Sequence, residues 1–125
     1  TVTNATNTKV TLTEDFDTNS NFASSRFTPT VAGYYQINAV VGSTASTSIS
    51  YTGALIYKNG IVYTLAYFPP STTTGGYASV SDIVYCNGST DYIELYAYQY
   101  NASTSNVTAT GTQSTYFSGC LVRAA

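Results

Sequence analysis

From Tyr51 to Phe68 the chain reads YTGALIYKNGIVYTLAYF. Two apolar, aromatic runs flank Asn59-Gly60, the pair that a type I′ turn favours because both central residues need positive φ. That arrangement reads as a β-hairpin, and the rest of the chain repeats the theme. In RFTPTVAGYYQINAVV (Arg26 to Val41) a turn at Pro29 to Gly33 leads into strict alternation. Tyr35, Ile37, Ala39 and Val41 take one face and Tyr34, Gln36, Asn38 and Val40 the other. In ASVSDIVYCNGSTDYIELYAYQY (Ala78 to Tyr100) the Asn-Gly device returns at Asn87-Gly88, after which Tyr92, Glu94, Tyr96 and Tyr98 alternate with Ile93, Leu95 and Ala97. A last strand is expected over Ser114 to Val122. Nowhere do apolar residues recur at helical spacing for even three turns, so the chain is all-β.

At 125 residues the sequence is one domain, 1–125, able to close a single core without staples. Charged residues make up only 8%, against 43% hydrophobic, with 13 Tyr and no His, Met or Trp. The net charge of −2 provides no basic field for phosphate backbones, which argues against nucleic acid. No apolar run approaches the roughly 20 residues of a membrane helix, and no leader-like pattern opens the chain. The abrupt start at TVTNATNTKV suggests a domain excised from a longer protein. So uncharged a surface is easiest to understand if part of it is buried in an oligomer or carried on a larger particle.

Connection lengths add an architectural clue. Short turns fall at Thr28 to Gly33, Lys58 to Gly60 and Asn87 to Asp91, whereas long polar stretches fall at Gly42 to Ser50, Pro69 to Gly76 and Asn101 to Thr112. If successive strands run antiparallel, consecutive connections sit at opposite ends of a sandwich, so the long ones share one end. They are either a presented surface or tolerated, solvated insertions.

The segments RFTPTVAGYYQI, ALIYKNG, VYCNGSTDYIELYAY and TYFSGCLV, in that order and spacing, resemble the C1q-like globular domain of the tumour necrosis factor fold. They are most similar to the C1q-like modules at the tips of phage tail or head fibres and in some bacterial surface proteins. The resemblance covers roughly Val10 to Val122. It implies a ten-stranded jelly roll of two antiparallel five-stranded sheets, assembled as a homotrimer with both termini at the base and the three long connections at the apex. It also implies that this is the C-terminal module of a longer fibre protein, located on a virion or, alternatively, a bacterial cell surface.

The family's last strand ends in Phe-Ser-Gly-aromatic-Leu, matched here by Phe117, Ser118, Gly119, Cys120 and Leu121, with Cys120 standing where relatives commonly carry an aromatic. Alternation places Phe117, Gly119 and Leu121 toward the core. Ser118, Cys120 and Val122 then join Tyr34, Gln36, Asn38 and Val40 on the face that the resemblance turns toward the threefold axis. Gly119 is expected to leave room for a large neighbour such as Tyr35, or else to mark a β-bulge. In the family sheet order a third strand separates Cys86 from Cys120, about 10 Å apart and beyond disulfide reach, so two free thiols are expected unless a register shift joins them.

Without His, no Ser-His-Asp or Cys-His arrangement exists, and no cluster has zinc-site spacing. No catalytic residue, cofactor or metal is assigned. Asp91 reads as a turn cap and Glu94 as one half of a cross-strand ion pair. Glu14, Asp15 and Asp17 could hold calcium, yet lack EF-hand spacing and more often form a solvated loop. The sequons at Asn4, Asn87, Asn101 and Asn106 arise easily in so Asn/Ser/Thr-rich a chain.

The leading functional expectation is a non-enzymatic receptor-binding module, a homotrimer recognising a host cell-surface glycan or protein through apical loops. Sugar recognition wants an aromatic platform beside amides and hydroxyls. Tyr67, Phe68, Tyr77, Tyr98 and Tyr100 flank the long loops, where Asn101, Ser103 and Asn106 could supply the polar part. The alternative is a structural trimerisation cap without a ligand, and a third reading is a secreted ligand for a protein receptor.

Overall fold

The structure, a computed structural model, describes residues 2–44, 49–101 and 114–125. Among them are nine strands: β1 (Thr8–Lys9), β2 (Phe22–Ala23), β3 (Arg26–Phe27), β4 (Ala32–Ser43), β5 (Ile49–Lys58), β6 (Ile61–Phe68), β7 (Gly76–Asn87), β8 (Ile93–Asn101) and β9 (Tyr116–Ala124). They form two antiparallel sheets. The larger has the order β2-β3-β8-β5-β6 with β1 also paired to β8, and the smaller has the order β7-β4-β9. The chain passes back and forth between sheets from β3 through β9, breaking step only at the β5–β6 hairpin, as in a jelly roll. The division is thus six strands and three, where the resemblance implied five and five.

Period-two alternation produces the core directly. Tyr35, Ile37, Ala39 and Val41 of β4, Ala54 and Ile56 of β5, Ala78, Val80, Val84 and Cys86 of β7, and Ile93, Leu95 and Ala97 of β8 are all buried. Each large aliphatic side chain among them contributes roughly 1.5–3 kcal/mol by leaving water. β9 is less enclosed. Its inward residues Phe117 and Leu121 border an open cleft of about 1260 Å³, walled across the gap by Val10, Leu12 and Phe22.

Gly119 lies opposite Ile37 on the core side of β9. A Cβ there would sit 3.0 Å from Ile37 Cδ1 and 3.6 Å from Phe27 Cε1. The glycine does make room in the core, but for Ile37 rather than for Tyr35. The irregularity in the β4–β9 ladder falls instead between Tyr34 and Tyr35, which pair with Arg123 and Leu121 and leave Val122 as the extra residue.

The Asn59-Gly60 turn has the expected left-handed pair of residues, φ 53° and 80°. The Asn87-Gly88 segment differs from expectation, because β7 and β8 belong to different sheets and the connection crosses between them. There Gly88 alone of the pair has positive φ, and the Asn87 side-chain oxygen accepts hydrogen bonds from the amides of Ser89, Thr90 and Asp91. Asp91 does cap this turn, accepting from the Asn87 amide at 3.0 Å. It also accepts from Asn59 Nδ2 at 2.7 Å and pairs with Lys58 at 3.2 Å, which ties the two turns into one end of the sandwich. Those hydrogen bonds, first the one from Asn59, hold its carboxyl below the usual range.

The opposite end carries the long connections, as alternation of the turns required. Ser43 pairs with Gly76, Ile49 with Asn101, and Val40 with Tyr116, so the ends of β4, β5, β7, β8 and β9 that face the three long segments lie together. The termini do not share the base that the resemblance implied. Asn4 bridges to Gln99 near the loop end, whereas the Ala125 amide bonds to the Ala32 carbonyl at the turn end.

Candidate functional site

Alternation that buries Ile93, Leu95 and Ala97 sends Tyr96, Tyr98 and Tyr100 of β8 to the outer face of the large sheet. On β5 the register places Tyr51 opposite Tyr100, Gly53 opposite Tyr98, Leu55 opposite Tyr96 and Tyr57 opposite Glu94. The β5–β6 hairpin adds Tyr67 by an indirect route. It leaves its turn with Lys58 opposite Ile61 and Tyr57 opposite Val62, but beyond a bulge Ile56 faces Thr64 and Gly53 faces Tyr67. With Tyr63 left unpaired in the bulge, Tyr67 falls on the same face as Gly53; a hairpin of the same length paired without the bulge would put Ala66 in that place.

Four rings therefore converge at the loop end of this face. Tyr51 stacks on Tyr98 at 5.8 Å and on Tyr100 at 5.4 Å, with interplanar angles of 16° and 17°. Tyr67 meets Tyr51 and Tyr98 edge-on at 5.3 and 5.7 Å. Gly53 is the floor of the cluster: a Cβ there would lie 2.6 Å from Tyr67 Cε1 and 3.2 Å from Tyr98 Cβ. Tyr67 and Tyr100 keep 49% and 43% of their surface open, so much of the cluster's aromatic surface is accessible. Partial burial, and next the Tyr51 hydroxyl, raise the Tyr98 pKa, which keeps the phenol protonated and able to donate.

Lower on the face the aromatic band continues. Tyr57 and Tyr96 stack at 3.8 Å, and the Tyr57 hydroxyl accepts from Asn7 Nδ2 at 2.7 Å. Next comes Glu94, buried on the outward side beneath Lys9 and Arg26, whose nitrogens reach its Oε1 at 2.7 and 2.9 Å. Burial pushes its pKa upward, but the hydrogen bonds from Lys9 and Arg26 outweigh it and the carboxyl stays below its usual range. The expected ion pair of Glu94 is thus a trio, and the Arg26 guanidinium also lies 3.8 Å above the Tyr92 ring.

The other candidate residues are dispersed. Phe68 and Tyr77 lie apart from the four-ring cluster and border a shallow depression with Pro69, Pro70 and Gly76. Asn101 ends β8 beside the cluster, and Ser103 and Asn106 lie outside the described residues. Tyr34, Gln36, Asn38 and Val40 share the outer face of the small sheet with Ser118 and Cys120, which stand opposite Asn38 and Gln36, while Val122 sits exposed at the bulge. Gln36 Nε2 donates to Ser81 Oγ at 2.7 Å, and that hydroxyl donates to Asn38 Oδ1 at 2.8 Å. Tyr34 and Tyr85 pack at 5.4 Å beside them, and Ile83 is 48% exposed. Both cysteines are free, with Cys86 buried and Cys120 exposed, and β4 lies between their strands. Asp17 caps a local turn, accepting from the amides of Asn19 and Phe22 at 3.1 and 2.7 Å.

Sequence reasoning missed Tyr51 and Gly53. The one available signal was their phase with Tyr57 along a single strand, which put a glycine among outward tyrosines.

No family model matches this chain, and no curated protein matches it. Among solved structures, a family 35 carbohydrate-binding module from an environmental isolate aligns over 98% of this chain and 95% of its own, at 16% identity and a TM-score of 0.40. A likeness of that degree does not assign a function.

Proposed function

We propose that this domain is a non-enzymatic glycan-binding module whose site is the outer face of the large sheet at its loop end. The observation that carries this reading is the four-ring cluster of Tyr51, Tyr67, Tyr98 and Tyr100 seated over Gly53. Clustered, half-exposed phenols offer apolar ring surface and hydroxyls, which suit the apolar faces and hydroxyls of a sugar. The reading moves the site from the apical loops to the adjoining sheet face, with the C-terminal end of β8 at its border. The biological setting suggested by the sequence resemblance is attachment of a phage fibre tip to a host surface.

We further infer that copies associate through the outer face of the small sheet, as a homotrimer. This is supported by the large exposed side chains gathered there, Tyr34, Tyr77, Ile83, Tyr85, Tyr116 and Val122, between which Gln36, Asn38 and Ser81 satisfy one another. Three copies would present three tyrosine faces and turn weak contacts into avidity. Light scattering at micromolar concentration is expected to give three times 13.3 kDa, and a stable monomer would refute the assembly. Binding is tested on immobilised host-surface glycans with wild type, Tyr98→Ala and Tyr100→Ala of equal mass and melting temperature. Loss of binding in both variants is expected. Equal binding by all three would favour a structural cap.

A further inference from the structure

We infer that the glycan recognised on the tyrosine face is acidic, and that Arg26 is the residue that reads its carboxylate or sulfate; this rests on the glycan-binding reading above. Arg26 is held from two sides. Its Nε donates to Glu94 Oε1 at 2.9 Å, and its guanidinium plane lies 3.8 Å above the Tyr92 ring. Glu94 is itself fixed, because its carboxylate is 3% exposed as a residue and also binds Lys9. These contacts use the Nε and one flat face of the guanidinium. No described residue accepts a hydrogen bond from its two Nη groups, and the side chain is 44% exposed. A planar fork immobilised in this way has lost its rotamer entropy in advance and offers paired donors to an oxyanion.

Charge favours the same ligand. Lys9 and Arg26 share one carboxylate, so the trio carries a net positive charge. The remaining cations lie elsewhere: Lys58 is paired with Asp91 at the turn end, and Arg123 is on the small sheet. The position of the trio is also suitable. From Tyr92 to Tyr100 the chain runs eight residues, about 26 Å at ~3.3 Å per residue, with Tyr96 and Tyr98 between at period two. The result is one aromatic band with a cationic end, which fits a chain of sugars stacked along β8 and anchored by an anionic group beside Arg26.

The test uses a printed set of oligosaccharides in pairs that share a backbone and differ only in bearing a hydroxymethyl, a carboxylate or a sulfate. Wild type is expected to prefer the acidic members, and the preference to fall as salt rises from 50 to 500 mM. Arg26→Gln should reduce the acidic-over-neutral ratio about tenfold, the scale of one charge-assisted hydrogen-bond pair. Arg26→Lys should lose most of it, since an ammonium keeps the charge but not the fork, and Arg123→Gln should leave it unchanged. Melting curves and near-UV dichroism establish that each variant is folded. If Arg26→Gln fails to fold, Arg26→Lys alone decides, with an unchanged ratio overturning the inference. Equal binding of neutral and acidic members, abolished by Tyr98→Ala, overturns the inference and leaves the glycan reading standing. Binding to no member overturns both.

Discussion

Replacing Gly53 by Ala tests the floor of the tyrosine cluster with a single methyl group. The added Cβ would lie 2.6 and 2.7 Å from Tyr67 Cε1 and Cδ1, against about 3.5–4.0 Å for an ordinary carbon contact, so the ring must retreat by roughly 1 Å. It can do so cheaply, because Tyr67 is a half-exposed side chain on the edge strand β6. Two opposing terms set the stability change. Alanine in a strand gains roughly 0.5–1 kcal/mol over glycine. Weakening the edge-on contacts of Tyr67 with Tyr51 and Tyr98 forfeits up to about 0.5–1.5 kcal/mol each. The net loss falls between roughly zero and ~2.5 kcal/mol, a Tm decrease of no more than about 10 °C in a domain of this size. Glycan binding should suffer more, because the platform itself is displaced. Near-UV dichroism and calorimetry on G53A, followed by glycan titration, measure each part. A variant with wild-type aromatic dichroism and wild-type affinity would refute the proposition that Tyr67 is seated over Gly53 in a functional cluster.

Other outcomes follow from the same geometry. The depressed carboxyls of Glu94 and Asp91 contribute stability that is fully present above their unfolded values, near 4.5 and 3.8, and is lost as pH falls through the lower folded values. Thermal melts between pH 6 and pH 2 should show this acid arm, and Glu94→Gln should flatten it; identical arms would refute the role of the trio. Gly33→Ala should destabilise by roughly 1–3 kcal/mol, because its Cβ would meet the Arg123 carbonyl and the Ala124 Cα, which are backbone atoms that cannot swing aside. Gly119→Ala, which meets the rotatable Ile37 Cδ1 at 3.0 Å, should cost less than 1 kcal/mol, and denaturant melts that reverse this order would contradict the packing. Burial raises the Cys86 pKa to about 11, so native protein at pH 7.5 should yield no thiol reaction at Cys86, which should react only after unfolding. Mass mapping that finds Cys86 labelled as fast as Cys120 would overturn its placement.

Much of this fold is legible along the chain because its cause is local. The pleat forces Ile37 and Val41 to one side and Gln36 and Asn38 to the other, and Asn59-Gly60 enforces its turn through two left-handed residues. The pairing of turns with ends is legible too, since it needs only the direction of successive strands. What was not legible depends on distant partners. Asn87-Gly88 carries the same dipeptide as a hairpin, yet its strands go to different sheets, a choice made by the packing of β4 against β7. The segment from Thr3 to Val10 bonds to β8 at Gln99 and Leu95, a contact spanning most of the sequence. The site was half legible. Tyr67, Tyr98 and Tyr100 stood out as aromatic, but their meeting over Gly53 depends on three strand registers at once.

The bulge at Tyr63 gives the tyrosine face an unusual form of inheritance. Residues 61 to 63 lie exposed at the sheet edge, so substitutions among them cost little; their number is another matter. Inserting one residue among them, with the single bulge kept, would bring Ala66 opposite Gly53 and turn the Tyr67 ring toward the core, with every one of the four tyrosines still present in the sequence. The capacity to present the fourth ring is thus encoded as a length. Descendants of this chain could exchange most of the letters between turn and ring and keep the face, or retain every tyrosine and abolish it by a single codon gained in frame.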